Sequence, residues 1–188
     1  MIGLKNKSNG YKSRYKLGKS ANIPIELYKS MRGEYFIGYA DNLRFGKELP
    51  AWAKLCNPYG SEISLYVNAW TVSRAEDINI TAELWLNTVP PGIPIISRSV
   101  TPANTSLIPA PLPKVMLQFS SFAEGKPENG IKISEYRGVS GRILENGKLI
   151  FPPGGSFCII LRLQDTDKTA TAGICFEWWE EKSGKKVK

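Results

Sequence analysis

The chain has no histidine among its 188 residues. That absence removes the Ser-His-Asp and Cys-His nucleophile systems, histidine-ligated zinc or iron, and the commonest general base. Cysteine is scarce as well. Cys56, Cys158 and Cys175 are too few and too far apart for a disulfide framework, and no pair has C-x-x-C spacing for zinc or redox work. Neither a Walker loop nor a G-x-G-x-x-G opening a helix is present, so the expected cofactor is none and the expected metal is none. No apolar run approaches the roughly 18 to 20 residues that cross a bilayer, and the start Met1-Ile2-Gly3-Leu4-Lys5 has no stretch resembling a secretory h-region. The expectation is a protein made in the cytoplasm, with no membrane partner and no amino-terminal export signal. Acid is missing from the first 25 residues, and no repeat of 20 to 50 residues is visible.

Charge is unevenly spread. The formal net charge is +8, and Lys5, Lys7, Lys12, Arg14, Lys16 and Lys19 precede the first acid, Glu26, while Lys182, Lys185, Lys186 and Lys188 crowd the other end. Setting those ten aside leaves 15 of the 25 basic residues against 17 acidic ones. The body is therefore near neutral, and the sequence divides into a basic arm (1–22), a folded domain (23–181) and a basic tail (182–188). Tyr11 and Tyr15 lie between the cations of the arm. Three readings of this arm stay open: a solvated tail, an arm that docks on a neighbouring subunit, and a nucleic-acid contact in which the tyrosines stack on bases.

What fills the domain is strand. Ile63–Val72 has β-prone residues on both faces, with Ile63, Leu65, Val67 and Ala69 on one and Tyr66, Trp70 and Val72 on the other. Residues 78–87 alternate with Ile78, Ile80, Ala82, Leu84 and Leu86 together, and a turn at Glu76-Asp77 makes the two segments a predicted hairpin. Seven prolines between Pro90 and Pro113 exclude helix there and leave room only for short edge strands. Strands follow at 115–122, 131–136 and 148–151, and the turn Pro152-Pro153-Gly154-Gly155 leads into 157–163 and 171–179, read as a second hairpin that brings Cys158 and Cys175 onto adjacent strands. Ile25–Met31 reads either as extended or as one or two helical turns. Eight or nine strands with Gly, Pro or Asn turns and no confident helix give an all-β fold class, an antiparallel β-sandwich or jelly roll.

Candidate chemistry is thin. Glu177, Glu180 and Glu181 beside Trp178 and Trp179 are the acids with aromatic company, and Glu180 and Glu181 read as solvated acids at a strand end. Trp52, Tyr59, Trp70 and Trp179 are the candidate exposed aromatics for a protein or carbohydrate interface.

Two stretches carry a resemblance. Ile150-Phe151-Pro152-Pro153-Gly154-Gly155-Ser156-Phe157 followed by Phe176-Glu177-Trp178-Trp179-Glu180-Glu181, together with Glu83–Thr88 and Ser99–Thr105, resembles a small uncharacterised family of Bacillus and Clostridium relatives, a domain of unknown function, over residues 23 to 181. The resemblance implies a spore-former and no activity. In plan, arm then sandwich, the chain is also similar to the jelly-roll subunits of spore appendages, although residues 1–55 lack the cysteines of such arms. The expectation is a non-enzymatic structural subunit that assembles with itself into a fibre or surface layer, its arm on a neighbouring copy. A virion or capsid-associated protein whose arm contacts nucleic acid, and a carbohydrate-binding module, are the other readings.

Overall fold

The computed structural model describes residues 22–74, 79–138, 141–164 and 167–184. The arm residues Lys5, Lys7, Tyr11, Lys12, Arg14, Tyr15, Lys16 and Lys19 lie outside the described residues, as do three of the four tail lysines. Among the described residues one helix, α1 (Ile25–Met31), precedes eleven strands: β1 (Tyr35–Gly46), β2 (Ala51–Cys56), β3 (Ile63–Arg74), β4 (Ile80–Leu86), β5 (Ile95–Ile96), β6 (Val100–Pro102), β7 (Met116–Ser120), β8 (Ile131–Arg137), β9 (Gly141–Phe151), β10 (Ser156–Leu163) and β11 (Thr169–Lys182). The strands form two antiparallel sheets in the orders β6-β1-β11-β3-β9 and β5-β7-β2-β10-β4-β8, below called sheets A and B. They pack face to face as an all-β sandwich. The short strands β5 and β6 are the ones that fit between the prolines.

Alternation along each strand supplies the core. Phe36, Ala40, Leu43 and Phe45 of β1, Ile174, Phe176 and Trp178 of β11, and Ile63, Leu65 and Val67 of β3 meet Ala51, Ala53 and Leu55 of β2, Phe157, Ile159 and Leu161 of β10, and Ile80, Ala82 and Leu84 of β4. A second, smaller cluster covers the outer face of sheet B, where Trp52, Cys158, Ile160 and Ala123 pack with Trp85.

Both predicted hairpins are corrected. β3 pairs with β9 and β11 in sheet A whereas β4 pairs with β8 and β10 in sheet B, and β10 and β11 are likewise split between the sheets. Alternation records that a strand has two covered faces but not which strand lies beside it. With the hairpin goes the proximity of Cys158 and Cys175. Cys158 belongs to the outer cluster of sheet B, and Cys175 stands on β11 of sheet A between the core residues Ile174 and Phe176, facing the other way. Two sheets packed about 10 Å apart separate them, beyond disulfide reach. All three cysteines are free. Burial pushes the Cys158 thiol up. In native protein a thiol reagent is expected to label Cys56 and Cys175 and to reach Cys158 only after denaturant; labelling of all three at one rate would contradict this placement.

The phase of β3 also differs from simple alternation. β3 carries one extra residue between Val67 and Ala69 against β11, whose Glu177 and Trp178 are consecutive partners of Ala69 and Val67. Asn68 is therefore a bulge, and beyond it every side chain changes face. Trp70 and Val72 turn into the core with Val67, while Ala69 turns outward.

Three of the four candidate exposed aromatics are accordingly buried. Trp52, Trp70 and Trp179 are 1%, 0% and 4% exposed, and Tyr59 is 88% exposed. Trp52 lies under the segment after β4, its indole N–H donating to the Pro91 carbonyl at 2.6 Å. Trp70 meets Tyr136 of β8 edge-on, with ring centroids 5.5 Å apart, and donates to Glu145. Trp179 stacks on Tyr66 at 5.3 Å and is capped by the backbone at Gly147, where a Cβ would run into its ring.

Candidate binding cleft on sheet A

α1 is turned against its own chemistry. Lys29 is buried, 6% exposed, and pairs with Glu34 and Glu181 at 2.9 Å each, whereas Ile25, Leu27, Tyr28 and Met31 face outward. Burial by itself lowers the Lys29 pKa, but the hydrogen bonds and charges of the two glutamates outweigh it and hold the ammonium above its ordinary value. A helix laid on a sheet normally hides its apolar stripe. Here the ion pairs hold the helix to the sheet, and its apolar residues stay at the surface.

Between α1 and the outer face of sheet A lies a cleft of about 420 Å³ lined by Glu26, Leu27, Ser30, Tyr35, Asn68, Ala103, Arg142, Leu144, Asn146 and Glu177. Its floor is a breach in the ladders. Asn68 has no partner in either register, and opposite it β9 leaves the sheet between Leu144 and Leu149, turning through Asn146 and Gly147 at positive φ. Bulges redirect side chains, and this one sends Asn68 out of the core face into the cleft.

A hydrogen-bonded chain holds the floor. Arg142 grips Glu177 with two bonds, Nε to Oε1 at 2.7 Å and Nη2 to Oε2 at 2.6 Å. Tyr35 donates its hydroxyl to Glu177 Oε2 at 2.8 Å and accepts from Asn68 Nδ2 at 2.7 Å. Burial first, then the bond to Glu177, pushes the Tyr35 hydroxyl up. Burial pushes Glu177 up too, but the bonds from Arg142 and Tyr35 overcome it and hold the carboxyl below its ordinary value. The chain ends at Asn68 Oδ1, which is buried and accepts no hydrogen bond from the described residues. Such an acceptor is uncommon in a native fold and marks a place where a donor belongs.

The three glutamates of the sequence motif have separate tasks. Glu177 belongs to the cleft, Glu181 binds Lys29, and Glu180, expected to be solvated, is buried and accepts from the backbone N–H groups of Lys114 and Val115 and from the Trp178 indole. The correction has a simple cause: Glu180 shares the inward face of β11 with Phe176 and Trp178, and the proline-rich segment folds over it. Alternation along 170–180 carries that signal. Among the described residues no group of three His, Cys, Asp or Glu side chains is placed to hold a metal ion, and no helix is long and apolar enough to cross a membrane. Asn68, Tyr35, Arg142 and the outward face of α1 were not legible as a site, since four distant stretches meet only through the bulge.

Neither the curated proteins nor the solved structures yield a match to this chain. A family model does match, over residues 9–185: the chain belongs to the Family of unknown function (DUF6143). The match takes in part of the basic arm and tail as well as the sandwich.

Proposed function

We propose that this DUF6143 member is a non-enzymatic structural subunit that assembles with copies of itself head to tail. The observation that supports it most is the pair of apolar margins. Stacking of β1 on β7 and β2, and of Trp70 in β3 on Tyr136 in β8, sets the β5 and β6 edges on one lateral margin and the β8 and β9 edges on the other. The first margin exposes Ile93, Ile95 and Ile96; the opposite one exposes Ile131, Ile133, Tyr136 and Ile150. Scattered surface aliphatics are ordinary, but clusters at opposite margins of one domain suit a heterologous contact that repeats from copy to copy. Burial of Trp52, Trp70, Trp178 and Trp179 favours this reading over a glycan-binding module, which would present such rings.

Both margins are surface, so charge can be placed on them without disturbing the core. The full chain is expected to form large particles by light scattering and electron microscopy. Ile93→Lys/Ile96→Lys and Ile131→Lys/Ile133→Lys each cap growth, and an equal mixture of the two gives dimers, because each variant retains the margin the other has lost. A full chain that stays monomeric at high concentration, or variants that assemble like the parent, would sink the reading.

A further inference from the structure

We propose that the cleft on sheet A receives the amino-terminal arm, residues 1–21, of a neighbouring copy, with a lysine ammonium or backbone N–H of the arm donating to Asn68 Oδ1. The inference rests on the assembly reading above and specifies one of its contacts. Four observations carry it.

The cleft asks for a donor. Asn68 is 1% exposed, lines the cleft and leaves Oδ1 without a partner, while its Nδ2 is held by Tyr35 and cannot swap places without losing that bond. An ammonium, with three donors and no acceptor, meets this need, and so does an extended backbone.

The charges match. Glu26 and Glu177 line the cleft against the single lining cation Arg142, which Glu177 already engages, so among the described residues the carboxylate on the α1 wall has no ion-pair partner. The arm offers six cations, Lys5 through Lys19, and no acid.

The apolar parts match too. Leu27, Ala103 and Leu144 line the cleft, and Met31 follows Leu27 by one turn of α1. Ile2, Leu4, Tyr11, Tyr15 and Leu17 are spaced among the arm's lysines. A segment mixing cations with isolated large apolar residues fits a surface that alternates carboxylate and aliphatic groups.

The chain path favours a neighbour as the donor of the arm. Residue 22 lies just ahead of α1, whose residues Glu26, Leu27 and Ser30 form one wall of the cleft, and the chain enters the helix through Pro24 in an extended conformation (φ −56°, ψ 144°). An arm continued in that extended conformation reaches past its own domain. Extension of about 3.3 Å per residue carries 21 residues about 70 Å, well beyond the width of one sandwich.

The test uses the full chain. A photo-crosslinking phenylalanine analogue is placed at Tyr11 or Tyr15 in protein grown as an equal mixture of ordinary and heavy-isotope copies, and the cross-linked peptides are mapped by mass spectrometry. The expected result is mixed-isotope adducts on peptides containing Leu27 or Leu144–Asn146, reduced at least fivefold by Glu26→Lys or Leu144→Lys. Both substitutions are at surface positions and leave the core intact. Adducts confined to single-isotope pairs would place the arm in its own cleft and overturn the inference. So would adducts elsewhere on the sandwich, or adducts unaffected by the cleft variants. Particles that persist while the adducts miss the cleft defeat this inference alone; a chain that remains monomeric defeats the assembly reading itself. Chemical-shift changes at Asn68 and Arg142 on adding a neutral saccharide, with no arm adducts there, would assign the cleft to a different occupant.

Discussion

Glu180→Ala is expected to lower stability by about 3 to 5 kcal/mol, on the scale of removing the partner of a buried, hydrogen-bonded charged group. Glu180 is buried and ties two distant parts of the chain. Its Oε1 accepts from the Val115 N–H at 3.0 Å and the Trp178 indole at 3.2 Å, and its Oε2 accepts from the Lys114 N–H at 2.9 Å. Alanine leaves all three donors without an acceptor and opens a void where the proline-rich segment joins β7. Glu180→Gln retains the volume and one acceptor but turns an amide NH2 toward a backbone N–H, and is expected to cost about 1 to 2 kcal/mol, one lost hydrogen bond with its unpaired group. Thermal unfolding followed by tryptophan fluorescence measures both. For a domain of this size each kcal/mol is worth about 2 to 4 °C, so the alanine variant melts roughly 6 to 20 °C below the parent. Equal, small shifts for the two variants would show that Glu180 is not an acceptor for these donors.

Asn57 should be nearly as sensitive, and with a different order of substitutions. It is fully buried in the connection from β2 of sheet B to β3 of sheet A. Nδ2 donates to the Ile63 carbonyl at 2.8 Å and the Phe151 carbonyl at 3.1 Å, Oδ1 accepts from the Ser61 hydroxyl at 2.5 Å, and its backbone exchanges bonds with Gly154 and Gly155 in the Pro152–Gly155 turn. One side chain thus joins the start of β3, the end of β9 and the turn into β10. Asn57→Ala is expected to cost about 2 to 4 kcal/mol for two buried carbonyls and a hydroxyl left unpaired. Asn57→Asp, although closer in shape, is expected to cost more, because a buried carboxylate oxygen in place of Nδ2 faces the Ile63 and Phe151 carbonyl oxygens. Chemical denaturation at neutral pH reads the order. An aspartate variant as stable as the parent would contradict the assigned amide orientation.

These two residues also show where sequence reading stops. Glu180 reads as a solvated acid because it stands next to Glu181 and a basic tail; its alternation with Phe176 and Trp178 points inward instead, and the segment around Lys114 covers that end of β11. Asn57 carried no signal at all, being a polar residue in a polar connection. Trp70 was misplaced for a third reason. The one-residue bulge at Asn68 reverses the phase of β3, and nothing in Tyr66-Val67-Asn68-Ala69-Trp70 distinguishes a bulged strand from a straight one.

The class of the fold, most strand positions, the Pro152–Gly155 turn and the restriction of residues 90–113 to short edge strands are legible in the amino-acid order alone, because these follow from periodicity and from the φ and hydrogen-bonding limits of proline and glycine within a few residues. Long-range packing sets the rest: β3 and β4, and β10 and β11, cross between sheets rather than pair, Trp52 and Trp179 are roofed by distant segments, and Tyr35, Asn68, Arg142 and Glu177 form one cleft floor. Strand partnership depends on which apolar faces bury one another across the whole domain. That choice is made by contacts far apart in the chain, and a strand's own alternation is the same whichever neighbour it takes.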